Sequence, residues 1–163
     1  MTLPAAPMSV APEQEPPAPE PPARAVDLVL RVAGGVVAVW AGVLAAVLAL
    51  LFATWAWEVV EGLSGGAGKA LVGISLAVGG IAAVVVLTVL VSWFAHLAVG
   101  TRWAAALAAL PWFVVIVAGG FRTVEGDLAL SGDNVLGLGL IVAGAITFAV
   151  MGFRQIVVPP AVR

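Results

Sequence analysis

Oxygen ligands crowd into one short stretch of this chain. Glu125, Asp127 and Asp133 lie between two long apolar blocks, and Gly126-Asp127 is echoed by Gly132-Asp133. Carboxylates suit hard divalent cations, and calcium takes roughly six to eight oxygens. These three residues are therefore the candidate metal ligands, with Glu58 and Glu61 supplied by a second acidic loop on the same expected face. The spacing is not that of an EF-hand loop, so the expectation is limited to a weak surface site. The same stretch has a second reading. In LSGDNVLGLG, Leu130 to Gly139, the side chains of Ser131, Asp133 or Asn134 can accept hydrogen bonds from the unpaired N–H groups of a helix's first turn. A negative charge is also favoured at a helix N-terminus. Capping is the preferred reading and metal ligation the alternative.

Other chemistry has less to build on. GLSGGAGKA, Gly62 to Ala70, contains a Gly-Lys pair, but Leu63 occupies the earlier glycine position of a phosphate-binding loop and Ala70 the hydroxyl position. A glycine-rich outer loop is the better reading. His96 is the only histidine and neighbours Trp93, Phe94 and Arg102, which favours an interfacial anchor over a proton switch. Cysteine is absent, so thiolate chemistry is excluded. Ser64, Ser75, Ser92 and Ser131 form no recognisable arrangement with His96. The chain is accordingly expected not to be an enzyme, to need no cofactor and to have no catalytic residues. A net charge of −2, with single scattered Lys and Arg, argues against nucleic acid as a partner.

The elements that must position these residues follow from hydropathy. The chain is 63% apolar and only 10% charged, with a mean hydropathy of +1.17, whereas a soluble domain has about a quarter of its residues charged. Four blocks without ionisable side chains run 32–57, 70–95, 103–121 and 134–153. A hydrocarbon core about 30 Å thick needs roughly 20 helical residues, so each block can span it. Backbone groups in lipid must be paired internally, and long runs without strict alternation favour helices over a barrel. The expected fold is an all-α integral membrane four-helix bundle over 26–158, with helices near 28–57, 69–97, 102–121 and 133–155, and a short C-terminal tail at 159–163.

Residues 1–25 hold eight of the eleven prolines and are expected to be a disordered cytoplasmic tail, open to a partner that binds polyproline segments. The first block is much longer than a signal peptide's apolar region and is read as a retained helix. Basic residues prefer the cytoplasmic side. With both termini inside, Arg24, Arg31, Arg102, Arg154 and Arg163 are cytoplasmic, leaving Lys69 and Arg122 outside. Trp55 and Trp57 then mark the outer interface and Trp93 and Trp103 the inner one, while Trp40 and Trp112 fall near mid-membrane, in packing or lipid contact. Small residues recur at four-residue spacing in Gly34-Ala38-Gly42, Ser75-Gly79-Ala83 and Gly139-Ala143-Thr147, and such stripes serve bundle packing or self-association. Pro111 predicts a kink in the third helix.

LSGDNVLGLGL, Leu130 to Leu140, resembles the start of a helix in the tellurium-resistance (TerC) membrane proteins, where Leu-Ser-x-Asp-Asn precedes an apolar helix. The resemblance covers about ten residues, and that family's further helices and second acidic motif have no counterpart here. It implies metal-ion handling at Asp133, with Asn134. As a whole the chain is similar to small four-span membrane proteins of unknown function from high-GC actinobacteria, which implies a plasma membrane and no particular activity. The functional expectation is an accessory, scaffold or assembly component of a membrane complex. Its partners would be the bilayer, a membrane protein or second copy on a small-residue helix face, and a cytoplasmic protein on the tail. The alternative is transport or divalent-metal homeostasis through the outer acidic loop.

Overall fold

Four helices form where the four apolar blocks lie, and there is no strand among the described residues, which in this computed structural model are 24–119 and 134–157. α1 spans Arg24–Gly62, α2 Ala67–Val99, α3 Ala104–Gly119 and α4 Val135–Val157. Three of them, α1, α2 and α4, are long and apolar enough to cross a membrane. The expected acidic cation site at Glu125, Asp127 and Asp133, the prolines of the tail and the C-terminal tail lie outside the described residues.

α1 reaches beyond the expected 28–57 at both ends. Hydropathy marks only the part that suits lipid; the helix continues through water-facing residues that favour it. Its first turn carries Asp27, favourable against the helix dipole. Asp27 accepts a hydrogen bond from Arg31 one turn later, Nε to Oδ2 2.9 Å. Both side chains are about half exposed, so this pair adds only a few tenths of a kcal/mol. α1 stops at Gly62, and Gly66, at φ 115°, makes the sharp reversal into α2. The expected glycine-rich loop is thus a tight connection of Leu63 to Gly66. Gly100, at φ 69°, ends α2 in left-handed geometry and donates its N–H to the His96 carbonyl, 2.9 Å.

α3 is described as 16 residues, against an expected 102–121. Its start is delayed to Ala104 because Thr101 to Trp103 form the turn that follows Gly100, with Ala104 N donating to the Thr101 carbonyl at 3.3 Å. The helix runs on through Pro111 without interruption.

The chain passes up, down, up and down. α1 packs mainly on α2 and α3, and α2 mainly on α1 and α4, so the α3–α4 seam is the most open side of the bundle. The core is built from small side chains: Ala38, Ala46, Ala56, Ala95, Ala104 and Ala108 are fully buried. Such residues bring backbones close enough for dispersion to hold helices together where lipid supplies no hydrophobic drive. A Cβ added at Gly34 would lie 2.6 Å from the Ala98 side chain, and one at Gly42 would collide with the Ala108 carbonyl. The first small-residue stripe is therefore used inside the molecule. One aromatic pair fills the centre, Trp112 against Phe148 with ring centroids 5.5 Å apart. Trp112 is 1% exposed and Trp40 63%, so the two mid-membrane tryptophans divide into a packing residue and an outward-facing one.

Candidate functional site

α4 is tied to the bundle by a side-chain amide at each end. Asn134 immediately precedes the helix, and its Oδ1 accepts the N–H of Gly137 at 2.7 Å, the geometry of an N-cap. Its Nδ2 donates to the Ala53 carbonyl of α1 at 3.2 Å. Ser131, Asp133 and Asn134 were the alternatives for the cap, and Asn134 fills it among the described residues. An amide suits the place because it carries an acceptor for the cap and a donor for the neighbouring helix; Asn134 is only 4% exposed, so both halves need a partner.

Gln155 does the same at the other end. Its Oε1 accepts the N–H of Ala105 at 3.0 Å, and its Nε2 donates to the Ser92 carbonyl at 3.0 Å. Ala105 lies in the first turn of α3, whose N–H groups have no partner within their own helix. One side chain on α4 thereby caps α3 and binds α2. Sequence reasoning missed this residue because Gln155 lies past the fourth apolar block, beside Arg154, where a polar residue is unremarked. The signal was present: Gln155 stands seven residues from Phe148 and eleven from Gly144, on the face of α4 that packs inward.

Next to Gln155, α2 presents a short polar stripe facing inward. Thr88 bonds its hydroxyl back to the Val84 carbonyl at 2.6 Å and is satisfied within its own helix. Ser92 is fully buried and its Oγ has no partner among the described residues. One turn on, the buried Nδ1 of half-buried His96 also has none. Ser92 and His96 thus lie on one helix face, as a serine and histidine four residues apart must. His96 was expected to be an interfacial anchor, and its ring is half inside the bundle.

The acidic groups are placed differently. Glu58 and Glu61 are exposed in the last turns of α1 and Lys69 stands in the first turn of α2. No group of three or more His, Asp or Glu side chains able to hold a metal ion occurs among the described residues. The described interior offers hydrogen-bonding amides and close-packed methyl groups. No family model matches the chain, and neither the curated proteins nor the solved structures contain a match to it.

Proposed function

We propose that the chain is an accessory or scaffold component of a plasma-membrane complex, with both termini cytoplasmic, working through helix-face contacts. The observation that carries this reading is the division of its small-residue stripes. Gly34, Ala38 and Gly42 are consumed by internal packing, whereas Ser75, Gly79 and Ala83 face outward on α2, and a Cβ at Gly79 would meet nothing within 4 Å. An exposed small-residue face on a membrane helix permits close approach by a second helix. The bundle interior is filled by alanines and the Trp112–Phe148 pair. Arg24, Arg31, Arg102 and Arg154 gather at one end, and basic residues favour the cytoplasmic side. The proline-rich segment that precedes α1 then extends into the cytoplasm, where a polyproline-binding protein can reach it.

Affinity purification after gentle detergent extraction is expected to return a membrane protein or a second copy, lost in Gly79→Leu while the bundle remains helical. Repeated recovery of a lone monomer would dispose of the proposal.

A further inference from the structure

The open seam between α3 and α4 is a trough with a cation at one end. Six small residues line it, Ala105, Ala106 and Ala109 from α3 and Ala145, Ala149 and Gly152 from α4. Phe113, Phe153 and Trp103 stand along its rim, with Phe153 68% and Trp103 71% exposed. The open cleft offers about 440 Å³. From Ala145 to Ile156 it follows α4 for about 16 Å at 1.5 Å per residue, close to the depth of one leaflet, about half of a 30 Å hydrocarbon core. Arg102 closes the end of the trough that lies at the bundle's basic end and forms no ion pair among the described residues. Among the described residues, four arginines and one aspartate, Asp27, lie at that end, and Asp27 is already engaged by Arg31. The first turn of α3 adds the positive end of a helix dipole beside Arg102.

We propose that this cleft holds an acyl chain of an anionic phospholipid, with the lipid phosphate on Arg102. Three features select that occupant together. The trough is apolar along its whole length, its length fits one leaflet, and its single charged lining residue is a cation at the headgroup level. Basic sites between membrane helices bind anionic headgroups by this combination. Trp103, at the same level, suits an indole at the interface.

The test is native mass spectrometry of the full chain in detergent, titrated with phosphatidylglycerol or with phosphatidylcholine bearing the same acyl chains. The wild type is expected to retain one phosphatidylglycerol about fivefold more strongly, the factor that one basic side chain near an anionic group confers. Arg102→Gln should remove that preference. Arg154→Gln should keep it, because Arg154 shares the basic end and does not line the cleft. Ala149→Leu or Gly152→Leu should lower retention of both lipids; Gly152 has open space where its Cβ would stand, so that variant fills the trough without disturbing a packed neighbour. Equal retention of the two lipids by the wild type would overturn the proposal. So would matching losses in Arg102→Gln and Arg154→Gln, which mean a diffuse basic surface, or undiminished retention in the filled variants. A dimer that persists in excess lipid and is broken by Gly152→Leu would also overturn it, showing a second copy in the cleft.

Discussion

Asn134 and Gln155 present the same functional group at opposite ends of α4, about 31 Å apart at 1.5 Å per residue. Each satisfies a helix end and a neighbouring helix at once, so its removal costs more than one hydrogen bond. Asn134→Ala loses the cap and the tie to Ala53, and should destabilise by about 1–2 kcal/mol. Asn134→Ser keeps a cap acceptor and loses the tie to Ala53, so its loss should be smaller. Gln155→Leu leaves the Ala105 N–H buried and unpaired, at a cost of about 1–3 kcal/mol. Thermal unfolding in detergent, followed by circular dichroism, ranks the three; an Asn134→Ser protein no more stable than Asn134→Ala would remove the capping half of the account. The cap at this boundary was legible in the sequence because an Asx residue before an apolar run has few other uses. Its contact with Ala53 was not, since the two residues are brought together only by the packing of α4 on α1.

Glycines of one composition have different roles in different helices. On α1, Gly42 touches the Ala108 carbonyl of α3, so Gly42→Ala must push two backbones apart, a strain of about 1–3 kcal/mol. On α2, Gly79 faces open space, so Gly79→Ala should be neutral or stabilise the helix by up to about 1 kcal/mol. Parallel unfolding of the two variants checks this, and equal destabilisation by both would contradict the assignment of inward and outward stripes. Four-residue spacing revealed that both stripes exist. It carries no information about which is buried, because α1 and α2 are apolar around most of their circumference and lack the polar face that identifies orientation in a soluble helix. α3 shows the same limit in length: the apolar run predicts 102–121, while the turn at Gly100 to Trp103 defers the helix to Ala104.

At the scale of the whole molecule, the alternation of four helices places the α1–α2 connection and the α2–α3 connection at opposite ends. With no native cysteine, a single introduced thiol reports its side without background. Ser64→Cys should react with an impermeant reagent applied from outside and Thr101→Cys should not; the reverse pattern would invert the orientation. Ser64 is preferred to its neighbour Gly66, whose φ of 115° a side chain would strain. The sequence by itself determined that the chain forms four apolar helices. Hydrocarbon thickness, backbone pairing and the ban on charge act locally along the chain and leave their record in composition. Only the tertiary structure decided that Gln155 joins α2, α3 and α4, that one small-residue stripe is spent and another free, and that a trough ending in Arg102 opens between α3 and α4. Those features depend on the rotation of each helix about its axis and on which pairs pack tightly, and a helix that is apolar on nearly every side does not encode its rotation in hydropathy.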